Sequence, residues 1–175
     1  MRPIVEPDWP AVVALEAQAY GDLGLSEGRA ALESRALASP ETCLVLDVGP
    51  QVAAYVLALP YPLFRYPALA LTETEAFSST NLHLHDLVVG EEFRRRGLAR
   101  QLEQRLAWTA RSLKYTSISL IALAGSRGFW AACHYQGRPE VSVSLSYGAN
   151  AIYMTRTIPA VPVADSQHLT EESLR

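Results

Sequence analysis

The chain has 175 residues, 49% of them apolar and 19% charged, with a formal net charge of −3. That is an ordinary globular composition, sufficient for one domain with its own core, and it holds no basic excess that would draw the chain to nucleic acid or to a membrane surface. No apolar run reaches the roughly 18 residues of a membrane span.

The first residues lack the charged and apolar regions of a signal peptide. The two cysteines, Cys43 and Cys133, have neither metal-ligand spacing nor a disulfide framework, and Cys133 reads as a small core residue. A cytoplasmic, reduced protein with no metal site is therefore expected.

Residues 2–6 form a short predicted strand. Asp8 follows as an N-cap with Pro10 early in the first turn, and Val12, Val13, Leu15 and Ala19 carry a helical pattern through Tyr20. Gly21 and Gly24 break it. A second helix is expected over residues 27–38, ended by Ser39-Pro40. Two β-branched runs, residues 42–47 and 52–59, meet at Gly49-Pro50 as a hairpin. Residues 60–81 are irregular, punctuated by Pro60, Pro62 and Pro67 and interleaved with Tyr61, Phe64, Tyr66 and Phe77. A loop of this length and aromatic content suits binding.

A strand is expected over residues 82–89. Leu98, Leu102, Leu106, Thr109 and Leu113 then recur at helical spacing, giving a helix over residues 97–113. Residues 115–123 read as a buried strand, and Ser126 as the cap of a short helix to about residue 135. Residues 141–146 and 151–158 read as a closing hairpin that turns at Tyr147-Gly148-Ala149-Asn150. The order is β-α-α-β-β-β-α-β-α-β-β, a mixed α/β single domain over residues 1–158. The polar tail, residues 159–175, reads as flexible, or as an arm laid against a second copy in a homodimer.

The run from His83 to Ala99 carries the chemistry. A buried strand, His83-Leu84-His85-Asp86-Leu87-Val88-Val89, leads through Gly90-Glu91-Glu92-Phe93 into Arg94-Arg95-Arg96-Gly97-Leu98-Ala99 at a helix start. Backbone N–H groups at a helix N-terminus hold phosphate, and three arginines beside the positive end of a helix dipole conflict until an anion joins them. Gly97 and Ala99 keep side-chain bulk away from such an anion. A phosphorylated cofactor beside a strand with two histidines is the expectation.

Element order and motif together resemble the GNAT superfamily of acetyl-CoA-dependent N-acetyltransferases, whose pattern Arg/Gln-x-x-Gly-x-Gly/Ala is met by Arg94 to Ala99. The resemblance implies a mostly antiparallel sheet flanked by helices. It also implies that the backbone of Arg95, Arg96, Gly97, Leu98 and Ala99 binds the pyrophosphate of acetyl-CoA. Backbone groups of Leu87, Val88 and Val89 would take the pantetheine arm as an added strand takes its partner.

A second family block matches Ser126 through Tyr135. Ser126 falls at the usual Asn, Phe129 and Trp130 at the usual Phe-Tyr, and His134-Tyr135 at the usual Gly-Phe. The family's Tyr commonly protonates the leaving thiolate. Trp130 cannot, because its indole N–H has no accessible acid ionisation, so Trp130 is expected against the pantetheine and the acid elsewhere, at Tyr135, Tyr153 or Cys133.

Within the superfamily the chain is most similar to the arylalkylamine N-acetyltransferase group, in His83-Leu84-His85, Phe93-Arg94-Arg95-Arg96-Gly97 and the segment ending at Tyr20. Strand alternation puts His83, His85 and Leu87 on one face and Leu84, Asp86 and Val88 on the other. A bulge, which family strands often carry here, would alter that parity.

A neutral imidazole can take the proton that an alkylammonium must lose before its nitrogen attacks a thioester. His83 and His85 are thus the expected proton path, with Tyr135 as a third catalytic candidate. Tyr20, Leu23, Leu25, Tyr61 and the 60–81 loop would wall a site for a small aryl- or alkylamine. The alternatives are a protein or peptide N-terminal acetyltransferase, which needs an open trough beside His83, and a non-catalytic acyl-CoA-binding domain.

Overall fold

The computed structural model describes residues 1–69, 71–74 and 77–160. Seven strands form one sheet in the order β1-β2-β3-β4-β5-β7-β6: β1 Arg2–Pro3, β2 Leu44–Val48, β3 Gln51–Pro60, β4 Asn81–Val89, β5 Ser117–Ala122, β6 Gln136–Gly137 and β7 Ile152–Thr157. Helices α1 Trp9–Tyr20 and α2 Arg29–Ala38 precede β2, α3 Leu98–Ser112 joins β4 to β5, and α4 Arg127–Ala132 follows β5. Only β4 and β5 run parallel; every other pairing is antiparallel. This is the expected α/β architecture, in the expected order of elements. No helix among the described residues is long and apolar enough to cross a membrane.

The sheet divides two apolar clusters. Strand alternation sends Ala54, Val56 and Ala58 of β3 to the α3–α4 side, where they meet Leu102 and Leu106, and sends Tyr55 and Leu57 to the α1–α2 side, where they meet Trp9, Val12 and Leu32. Covered on both faces, β3 is apolar through most of its length.

Several local expectations are corrected. Asp8 does not cap α1; its carboxylate accepts from Arg2 at 2.6 and 2.8 Å and from the Val5 N–H at 2.9 Å, tying β1 to the turn. Glu27 lies before α2 rather than inside it, because Gly28 at φ +80° holds a backbone that no helix continues through. Ser126 does not cap α4 either, since its hydroxyl donates to the Leu123 carbonyl at 2.9 Å.

The expected strand at residues 141–146 is absent. Gln136 and Gly137 pair with Thr155 and Met154 first, and the Arg138 N–H reaches the Tyr153 carbonyl at 2.8 Å. With that edge taken, and Pro139 unable to extend the ladder, residues 138–151 form a loop closed by a 3₁₀ turn at Leu145–Tyr147. The tail beyond residue 160 lies outside the described residues.

Candidate active site

Strands β4 and β5 part in mid-sheet. They pair only from Asn81 opposite Ser117 to Leu84 opposite Leu120; beyond that, β4 continues against β3 alone and β5 against β7 alone. One edge of β4 is therefore open. The Gly90 N–H donates to Ala53 at 2.9 Å, so counting back by two turns the Val88 and Asp86 N–H groups toward β3 and those of Leu87 and Val89 toward the open edge. The Val89 carbonyl also faces that way, accepting from Arg94 Nε at 3.4 Å. Val88, expected among the cofactor contacts, keeps its backbone on β3 and its side chain in the α1–α2 cluster.

Past the strand end, residues 94–97 form the expected turn, but the arginines precede the helix rather than occupy its first turn. Gly97 is the N-cap of α3 at φ +77°. A Cβ on Gly97 would meet nothing within 4 Å, so the glycine is required by its backbone conformation, not by crowding within the protein. Arg95 also holds a positive φ, +62°, a conformation that costs a non-glycine residue of order 1–2 kcal/mol.

The first intrahelical donor is Gln101, whose N–H reaches the Gly97 carbonyl at 3.1 Å, which leaves the N–H groups of Leu98, Ala99 and Arg100 without helical acceptors. Arg94 and Arg96 fold back onto carbonyls of Val89 and Glu92, while Arg95 is exposed. A cradle of free N–H groups ringed by guanidinium charge fits a pyrophosphate, and the open β4 edge fits an extended amide arm.

The third part of the site comes from a β-bulge. Leu57 pairs with Asp86 and Ala58 with Leu84, so His85 is an extra residue in β4. The insertion overturns the expected parity. Leu82, Leu84, Leu87 and Val89 all face the α3–α4 cluster, whereas His83, His85, Asp86 and Val88 turn to the α1–α2 side. Asp86 joins the histidines.

His83 is 1% exposed, with Nδ1 3.0 Å from the Ser119 hydroxyl and its ring stacked on Tyr153 at 6.3 Å. Burial, reinforced by His85 and Arg35, pushes His83 well below its ordinary pKa and keeps it neutral. His85, 6.3 Å from it, places Nε2 2.5 Å from Oε1 of Glu27. The Asp86 carboxylate accepts from Tyr55 at 3.0 Å, and burial pushes it above the usual carboxylate range. Burial and the neighbouring Asp86 raise both tyrosines well above theirs.

His85, Asp86 and Glu27 line a cleft together with Tyr20, Leu25, Leu69, Ile121, Leu123 and Tyr147. Two loops roof it. The Tyr66 hydroxyl donates to the Ser142 carbonyl at 3.1 Å and accepts from the Ser144 N–H, Tyr147 donates to the Pro67 carbonyl at 2.7 Å, and the rings of Tyr66 and Tyr147 meet edge-on. Tyr61 packs 6.1 Å from His83.

Of the expected wall residues, Tyr20 and Leu25 line the cleft and Tyr61 covers His83, but Leu23 is 62% exposed outside it. Trp130, Cys133 and Tyr135 are core residues beneath α3, on the sheet face opposite the histidines; Tyr135 packs edge-on against Trp130. Of the three acid candidates, only Tyr153 shares a face with His83.

Sequence reasoning missed Glu27, Arg35 and Ser119. Arg35 had a signal: it interrupts the buried stripe Ala31, Leu32, Ala36 of α2, where a charge is tolerated only with a partner.

The sequence profile described as the acetyltransferase (GNAT) family matches residues 9–135. No curated protein sequence matches the chain. Among solved structures, Ard1 from Thermoplasma volcanium is 20% identical with a TM-score of 0.70, over 90% of this chain and 96% of that one. The ribosomal-protein-S18-alanine N-acetyltransferase from Escherichia coli is 14% identical with a TM-score of 0.58, over 93% and 95%. N-acetylglutamate synthase from Neisseria gonorrhoeae, solved with coenzyme A and N-acetyl-glutamate, is 14% identical with a TM-score of 0.68, over 91% of this chain and 34% of that one.

Proposed function

The chain belongs to the acetyltransferase (GNAT) family, whose acyl donor is acetyl-CoA, and from that premise we propose that it acetylates a small primary aryl- or alkylamine by direct attack in a ternary complex. The observation that carries this reading is the convergence of His83, His85 and Asp86 at the point where β4 and β5 part. It puts proton acceptors beside the strand edge suited to the donor.

Acetyl-CoA supplies an activated thioester. The N–H groups of Arg95 to Ala99 would hold its pyrophosphate and those of Leu87 and Val89 its pantetheine arm, with the Val89 N–H polarising the thioester carbonyl. His85 takes the proton of the incoming ammonium, and His83, held neutral, passes it on. Both cysteines are buried away from the cleft, which favours direct attack over an acyl-enzyme.

The apolar walls and acidic floor suit a cation with an apolar tail. The roof made by Tyr66 and Tyr147 favours a small amine over a polypeptide N-terminus. A panel of amines and short peptides assayed with acetyl-CoA, following thiol release, is expected to give turnover with aryl- and alkylamines and little with peptides. Turnover restricted to peptides would overturn the acceptor assignment, and binding without thiol release would overturn catalysis. Alanine at both histidines is expected to lower kcat by about 10²–10⁴-fold.

A further inference from the structure

His85 is gripped at one nitrogen and bare at the other. Nε2 lies 2.5 Å from Oε1 of Glu27, whereas Nδ1 is buried without a hydrogen-bond partner among the described residues. Where the carboxylate is ionised it only accepts, so a neutral imidazole at this position carries its hydrogen on Nε2 and keeps its lone pair on Nδ1, in a residue that lines the cleft. With the side chains of His85 and Glu27 only 2% and 3% exposed, solvent does not screen this contact.

Glu27 is itself held in place. Its other oxygen accepts from Nη2 of Arg35 at 2.8 Å, and that same nitrogen donates to the carbonyls of Ala68 and Leu71 in the roof loop. Behind it, Glu16 of α1 accepts from the Ser26 hydroxyl at 2.5 Å and from the Glu27 N–H at 2.7 Å. Glu27 is thus fixed at its carboxylate by Arg35 of α2, which the roof loop holds, and at its backbone by Glu16 of α1.

We propose that Glu27 is the positioning residue of this enzyme: it selects the Nε2–H tautomer of His85 and so presents Nδ1 as the atom that takes the proton from the amine. In that step an ammonium N–H bond breaks, its electron pair stays on the amine nitrogen, and an Nδ1–H bond forms. The imidazolium charge is offset by the Glu27 carboxylate. Asp86 and His83 flank the ring on β4, Tyr20 faces it from α1, Arg35 stands behind Glu27 on α2, and Tyr147 faces it from the β6–β7 loop. The assignment rests on the reading of His85 as proton acceptor.

Nitrogen-15 NMR of the histidine rings in the full chain reads the tautomer without any acyl donor. The wild type is expected to carry hydrogen on Nε2 of His85, and Glu27→Ala to show a mixture of tautomers. In steady-state assays Glu27→Ala is expected to lower kcat by about 10²-fold while leaving the KM for acetyl-CoA unchanged, and Glu27→Asp to recover part of the loss.

Hydrogen on Nδ1 in the wild type would overturn the proposal, and that measurement needs no variant to fold. An unchanged tautomer in Glu27→Ala would overturn it too. If His85→Asn keeps full kcat while the tautomer still follows Glu27, the proton-acceptor reading fails and the tautomer selection stands.

Discussion

At the scale of single residues the site is a small set of buried ionisable groups whose protonation is set by surroundings more than by type. His83 is neutral because it is enclosed, not because a partner holds it so. Its folded pKa lies well below the unfolded value of 6.5, so above that pH both states are neutral and the group adds nothing to stability. Below it the unfolded chain binds a proton that the native chain refuses, and stability falls as pH falls, by up to ~1.4 kcal/mol per pH unit. His83→Gln is expected to remove that increment. Urea unfolding of both proteins from about pH 8 to pH 5 checks it, and parallel pH dependences would refute it. Both histidines were legible in the sequence as an odd polar pair in an apolar run. The partner Glu27 was not, since it is 58 residues from His85 and contact over such a span has no local signature.

At the scale of elements, two features of β4 decide what the site can be. The open edge beyond Leu84 follows from the parting of β4 and β5, and the bulge at His85 turns a strand with histidines and carboxylate on opposite faces into one that presents all three together. Period-two counting cannot locate an inserted residue, which is why the sequence put Asp86 on the wrong face.

The turn before α3 was far more legible, because Gly97 and the arginines are local. Gly97→Ala has room for its methyl group but must hold φ +77°, so it is expected to lose about 1 kcal/mol of stability and to weaken coenzyme A binding several-fold as the N–H cradle distorts. Calorimetric titration checks the affinity. An unaltered Kd with the strain accommodated would mean that the cradle is not formed by this turn. The misplaced strand at residues 141–146 shows the opposite failure: its alternation was suitable, but the edge of β7 was already occupied by Gln136 and Gly137.

At the scale of the whole molecule, one sheet separates two clusters of different character. The α3–α4 side is almost wholly apolar, with the half-buried Arg156–Glu103 ion pair at its margin. The α1–α2 side grades from Trp9, Val12 and Leu32 into the charged floor of the cleft. The turn before α3, the parted strands and the cleft beside His85 belong to one domain, so a ligand that spans them should stabilise the fold as a unit. Coenzyme A at 100 times its Kd is expected to add about 2.7 kcal/mol, or about 5–10 °C in Tm for a chain of this size. Differential scanning calorimetry reads it, and a Tm that ignores coenzyme A would argue against the cradle assignment.

By itself the sequence determined the order of elements, the glycine-bearing turn from Arg94 to Ala99 and the presence of two histidines in the strand before it. Each of these is written in short-range periodicity or in residues that only one backbone conformation tolerates. Tertiary structure alone decided the face on which Asp86 stands, the partnership of His85 with Glu27 and Arg35, the roof that Tyr66 and Tyr147 build, and the burial of Tyr135 and Trp130 away from the histidines. Those depend on strand register and on contacts between distant segments, which are settled when the sheet assembles.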